Sequence, residues 1–263
     1  MQYCKNILLI IIVSFCIVNL SYAQELYPSS EPASNMSSKS IGVRLGTQWS
    51  GNRSNTNLFR INPELMWGIN KKWMMHIDEF MGNVYQNKFD IEQFSIYTKY
   101  RFLSIDDVHS HFRMAMFGRI TTGNNSLMND SMMINYMSGY TSGIVLTQLI
   151  HKVAVSSALS YYENWNSTGA SFNYIFSAGY LLFPRHYSKY KQLNINLYAE
   201  LLGKKMTGNK NNFVDIAPAL QFIISSIARI DLVYQTKISK SSARNYNSLV
   251  LLKLEYNFLN AYK

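Results

Sequence analysis

The sequence predicts an all-β fold: a single antiparallel transmembrane β-barrel of about twelve strands. Three observations point there. Apolar residues recur with a period of two over most of the chain, as in Leu252, Leu254, Tyr256 and Phe258 against Lys253, Glu255 and Asn257. Aromatic residues make up 14% of the chain, high for a soluble domain and in keeping with two interfacial belts. After Ala23 no apolar run is long enough to cross a bilayer as a helix, so membrane insertion requires a closed barrel.

The first residues read as an export signal. Met1 to Ala23 has a basic residue (Lys5), an apolar run from Ile7 to Leu20, and Ser21-Tyr22-Ala23 before Gln24. Small residues at those positions suit signal peptidase, and the run falls short of the roughly 20 residues of a spanning helix. Phe15 is too bulky for a lipoprotein signal at Cys16. Both cysteines, Cys4 and Cys16, lie in this segment, so cleavage leaves a chain without disulfides, Cys-based metal sites or thiol chemistry. In an exported chain the net charge of +10 reads as lumen and loop charge rather than a nucleic-acid footprint. No phosphate loop, zinc motif or nucleic-acid pattern is present, so no cofactor and no nucleic-acid partner are expected.

Residues 24–39 are mostly polar and aperiodic. They are expected to form a flexible periplasmic lead-in, although the stretch from Glu31 to Met36 could instead fold up as a plug. The barrel is expected over 40–259, with a short tail at 260–263.

The strands follow in order. Ile41, Val43 and Leu45 begin the alternation. Phe59, Ile61, Pro63, Leu65, Trp67 and Ile69 then oppose Arg60, Asn62, Glu64 and Gly68. After the turn Asn70-Lys71-Lys72 come Trp73, Met75 and Ile77, and then Phe94, Ile96, Thr98, Tyr100 and Phe102. The fifth strand sets Phe112, Met114, Met116 and Ile120 against Arg113 and Arg119. A long polar loop, Thr122 to Ser138, precedes the sixth, Gly139 to Ile150. His151-Lys152 turns into Val153, Val155, Leu159 and Tyr161, and the eighth carries Phe172, Tyr174, Phe176, Ala178, Tyr180 and Leu182. In the ninth, Leu193, Ile195, Leu197, Ala199 and Leu201 alternate with Asn194, Asn196, Tyr198 and Glu200. Val214 to Phe222 and Ile230 to Tyr234 lead to the closing strand. Short connections at 70–72, 104–110, 150–152, 183–190 and 224–227 interleave with longer ones, as periplasmic turns do with outer loops. Proline cannot donate to a ladder, so Pro63 and Pro218 are expected at bulges or near strand ends. Glu79 falls on the nominal lipid face, which implies a register shift near the outer end of strand three.

A soluble sandwich or lipocalin-like barrel would bury these aliphatic faces inward, and there are too many for one small interior. The closing strand, LVLLKLEYNF, resembles that of Gram-negative, porin-like outer-membrane β-barrels, with Leu259 to Lys263 following it here. The resemblance implies a place in the outer membrane among its lipids, and recognition of the last aromatic strand by the barrel assembly machinery.

The inward set is mixed in sign: Arg60, Glu64, Lys99, Arg101, Arg113, Arg119, Glu200, Asp215, Arg229, Asp231, Lys253 and Glu255. About twelve strands enclose a space between a filled eight-stranded barrel and an open porin. These residues are therefore expected to line a narrow passive channel for small polar solutes, with weak anion preference. The alternative is a non-conducting structural barrel, or one whose loops serve ligand binding or adhesion. No enzyme is expected. A known outer-membrane phospholipase resembles this chain in architecture, but the sole His-x-Ser here, His186-Tyr187-Ser188, lies in a turn with no Asn evident to orient it. Met128, Met132, Met133 and Met137 share one outer loop, where they are expected to form a constriction, with copper binding as the lesser reading. Asp106, Asp107, His109 and His111 are a weak candidate for a divalent ion.

Overall fold

In the computed structural model the alternation becomes twelve antiparallel strands. Residues 27–52, 57–83, 88–107, 110–123, 138–165, 169–184, 192–207, 212–239 and 246–262 are described. The strands are β1 (Ser40–Asn52), β2 (Asn57–Gly68), β3 (Trp73–Gly82), β4 (Asp90–Asp106), β5 (Ser110–Gly123) and β6 (Gly139–Ile150). They continue as β7 (Val153–Asn164), β8 (Ala170–Phe183), β9 (Leu193–Met206), β10 (Asn212–Ile224), β11 (Ala228–Lys237) and β12 (Tyr246–Phe258). Each pairs with its sequence neighbours, and β1 pairs with β12, so the sheet closes with no free edge.

Exposure runs opposite to that of a soluble protein. Leu254, Tyr256 and Phe258 are 43%, 44% and 51% exposed, while Glu255 and Asn257 between them are 6% and 8%. The same phase holds elsewhere: Val155, Leu159, Phe176, Leu197 and Leu232 face out, and Arg60, Lys99, Glu200, Asp215 and Asp231 are buried inside. Such an apolar exterior suits hydrocarbon and not water. Aromatic pairs mark its two rims. Trp73–Tyr100 (ring centroids 4.7 Å apart) and Tyr256–Phe258 (4.8 Å) stand at the short-turn end. Trp49–Phe59 (5.6 Å) and Tyr161–Phe172 (5.1 Å) stand at the long-loop end.

At the short-turn end, Ser225 and Ser226 both adopt positive φ (52° and 59°), the backbone of a tight primed turn between β10 and β11. The tail packs back on this rim: Ala261 N donates to Lys39 O (2.9 Å) and Tyr262 Oη to Gly68 O (2.9 Å).

One local expectation is corrected and another is met. Pro63 and Pro218 sit in mid-strand without bulges. Pro63 keeps register with Leu45 of β1, and the β2–β3 ladder is interrupted only between Ile61↔Met81 and Glu64↔Asp78. Pro218 likewise pairs with Ala199, and the β10–β11 ladder resumes in the same register from Ile216↔Thr236 to Ala219↔Val233. A proline lacks one donor on one side, so a gap in one ladder suffices; Asn62 Nδ2 spans the first by donating to Glu79 O (2.9 Å). The register shift in β3 does occur, at Phe80/Met81, but beyond Glu79, which stays opposite Phe94 on the outer face near the rim.

A closed ladder of this kind resists detergent until heated. The purified protein is expected to migrate differently on a denaturing gel before and after boiling; identical mobility in both lanes would exclude closure.

Candidate functional site

Residues 27–39 have no period of two and so join no strand. They rise through the interior from the short-turn rim, where Lys39 N donates to Gly68 O (2.6 Å). The flexible lead-in expected for this segment is, in the folded protein, a plug. The reason is that its polar groups find partners on the barrel wall. Lys99 Nζ donates to Pro32 O (2.6 Å) and Ser34 O (2.8 Å), Ala33 N donates to Thr147 Oγ1 (2.9 Å), and Arg113 donates to Ser34 Oγ (2.8 Å). Pro32 itself brings no donor to satisfy. Farther along, Glu200 accepts from Ser29 N (2.7 Å), Ser30 N (3.2 Å) and Ser30 Oγ (2.9 Å).

Apolar contacts hold both ends of the segment. Met36 is buried with Met66 and Met74 near the short-turn rim. Tyr27 is 2% exposed and packs edge-on against Tyr198 (5.4 Å), among inward apolar residues that include Leu202, Phe213 and Leu251. Tyr198 in turn lies flat over Gly179, where an added Cβ would come within 2.0 Å of its ring. The glycine makes room for the ring that receives the plug.

At the centre stands Arg44 of β1. Its Nη1 pairs with Glu31 of the plug (2.8 Å) and Glu64 of β2 (2.9 Å), and its Nε with Glu255 of β12 (2.8 Å). Arg229 binds the same Glu255 oxygen (2.7 Å) and reaches Asp231 (3.1 Å). Asp231 accepts from Gln221 Nε2 (2.8 Å), and Gln221 accepts from Asn196 Nδ2 (3.0 Å). Polar groups are thus linked from β9 round to β2. Burial alone would push the Glu31 carboxyl up, but neighbouring positive charges, Arg44 foremost, hold it well below the usual carboxylate range, so the plug presents an anion there.

The residues expected to line a path face inward, but into this packing. Arg60 pairs with Glu92, Arg119 with Asp78 (2.7 Å), and Asp215 accepts from Gln235 Nε2 (2.6 Å). Arg60, Lys99, Glu200, Asp215 and Asp231 are 1% exposed or less, so bulk water does not reach them in this state. Lys253 is inward and partly buried beside Asp231 in the β11–β12 register. Arg101 stands apart: a register shift after it leaves it at the short-turn rim, donating to Lys71 O (2.7 Å). Asp106 meets Arg113 (2.8 Å) and His111 (2.8 Å), and Asp107 N closes the turn on Ser110 O (2.8 Å). His109, Met128, Met132, Met133, Met137 and His186-Tyr187-Ser188 lie outside the described residues, as does the segment 1–23. The sequence reading missed Glu31, Arg44, His76, Asp78 and Glu92. For Arg44, His76 and Asp78 the inward phase of β1 and β3 was the available signal.

No protein-family model and no curated protein sequence matches the chain. Solved structures do. The NanC porin matches with a TM-score of 0.53 at 12% identity, over 83% of this chain and 98% of that one. An outer membrane channel from Pseudomonas putida F1 gives 0.53 at 10% identity, over 89% and 100%. This is an outer-membrane β-barrel fold. At such identity the likeness lies in the barrel, and the interior has to be read from its own residues.

The seating of Tyr27 depends on space at Gly179. Gly179→Val is expected to drive Tyr198 off its site and release the plug, while the lipid-facing surface and the closing ladder stay intact. A Ser34→Cys reporter, at a position 6% exposed, checks this. It should resist a water-soluble thiol reagent alone and react when combined with Gly179→Val. Equal protection in both would show that the plug does not depend on this contact.

Proposed function

We propose that the protein is a narrow passive channel for small polar solutes in the outer membrane, closed by its own N-terminal segment and weakly anion-preferring when open. The observation that carries this reading is the nature of the plug's contacts. Most of its anchors are hydrogen bonds and one ion pair to wall groups that water could solvate in its place. Lifting the segment would leave Arg44, Lys99 and Arg113, from β1, β4 and β5, facing a hydrated space, with Glu200 of β9 across from them. Opposed rows of this kind set up a transverse field, and the larger basic wall raises local anion concentration. Two solved structures of similar fold are a porin and an outer membrane channel by name, which agrees with this reading.

The filled interior favours a second reading, a structural barrel that never conducts. Planar-bilayer recording separates the two. Wild type is expected to open rarely, and a variant lacking residues 27–36 to conduct steadily. Reversal potentials in a salt gradient should indicate anion preference, fading near 1 M salt, where the Debye length is roughly 3 Å. Lys99→Gln in the deletion background should move selectivity toward cations. If both proteins are heat-modifiable on gels and neither conducts, the structural reading stands instead.

The partners that go with this reading are membrane lipid and the assembly machinery, the latter through β12. Phe258 points outward at the rim, so an aspartate there costs the folded barrel at most about 1 kcal/mol. Phe258→Asp should therefore fold in detergent yet reach the outer membrane in reduced amount. Normal outer-membrane levels would remove any assembly role for this residue.

A further inference from the structure

We infer that Glu31, Glu64 and His76 form a site for one divalent transition-metal ion of the zinc class, which fastens the plug to the barrel wall. The three come from separate elements, the plug, β2 and β3, and a ligand atom from each lies within 4.8 Å of the others. An ion held about 2.0–2.2 Å from each donor needs only small side-chain rotations to collect them.

His76 supplies the independent observation. It is fully buried, and its Nε2 has no hydrogen-bond partner. Its Nδ1 is paired with Glu64 Oε1 at 2.5 Å, and its ring packs against Tyr97 at 5.0 Å. Buried polar groups almost always have partners, so an orphaned ring nitrogen beside two carboxylates points to a missing one, and an ion would replace the direct Glu64–His76 contact. The carboxylates are prepared in the same way. Arg44 takes one oxygen of Glu31 (2.8 Å) and one of Glu64 (2.9 Å), leaving the second Glu31 oxygen and the Glu64 oxygen that faces His76 as the donors for an ion. Ligating carboxylates are commonly oriented by such outer hydrogen bonds.

The donor set selects the class of ion. A neutral imidazole with two carboxylates suits zinc, cobalt or nickel, whereas calcium and magnesium prefer oxygen alone. Arg44 and Lys99 bring positive charge to the neighbourhood, and Glu255 and Asp231 offset part of it. Since Glu31 belongs to the plug and the other two ligands to the wall, an ion here favours the seated segment by mass action. The regulatory consequence rests on the channel reading; metal binding itself does not.

The test is titration of the folded, full-length barrel with Co²⁺. Wild type is expected to bind one equivalent with a visible absorption band that Zn²⁺ abolishes. Glu31→Gln and His76→Gln should each weaken binding roughly tenfold or more, while Asp106→Asn leaves it unchanged. Glu31 lies outside the strands, so its variant keeps the test clear of folding defects, and gel mobility before and after boiling checks both. No stoichiometric binding by wild type overturns the inference. So does binding that survives both variants, or that is lost in Asp106→Asn. In bilayers, Zn²⁺ should lower the open probability of wild type and leave Glu31→Gln unaffected. A metal-free protein that never conducts removes the channel reading alone, because the cobalt titration still decides the metal site.

Discussion

The register in which β1 closes on β12 governs the rest of the molecule. Ile41 faces Phe258 and Leu45 faces Leu254, so one continuous apolar surface crosses the seam. The same register sets Arg44 opposite Glu255, and that of β1 on β2 sets it opposite Glu64. A slip of one residue would send Arg44 toward lipid and turn apolar side chains inward. Closure and charge pairing are therefore a single condition, met together.

That condition explains why the charged side chains inside are buried and paired. Charges on the inward face must be hydrated or paired, and here a segment of the chain itself packs among them. Pairing then propagates along the wall, from Arg44 to Glu255, Arg229 and Asp231. Such pairs need not raise stability, because desolvation offsets much of their attraction. Removing one member is costly all the same, at about 3–5 kcal/mol, because it strands its partner. The network is best understood as fixing where things stand, including the plug.

The plug is attached in a graded way. Its root is tied by Lys39 and covered by the tail through Ala261, its middle is held by Lys99, Arg44 and Glu200, and its far end rests on Tyr198. Contacts of the middle are polar and exchangeable with water, whereas the root is joined to β1 by the chain itself. The Glu31, Glu64 and His76 cluster lies in that middle stretch, where a single ion would count for most.

The strands were legible in the sequence because each is a local matter. A period of two, read along about ten residues, fixes which face meets lipid, and it located nearly all twelve strands and the inward side of Arg60, Lys99, Glu200 and Asp231. Turn lengths added the topology, since antiparallel neighbours need only short links. The plug and the Arg44 cluster were not legible in this way. Residues 27–39 carry no periodicity, and their partners lie far off in sequence: Ala33 meets Thr147 at a separation of 114 residues, and Ser29 meets Glu200 at 171. Composition made that segment look like a tether because it counts polar groups without knowing what they will face. Only closure of the sheet brings β1, β2, β4, β5 and β9 around one space, and only then do a lysine, two arginines and two glutamates become the walls of a socket.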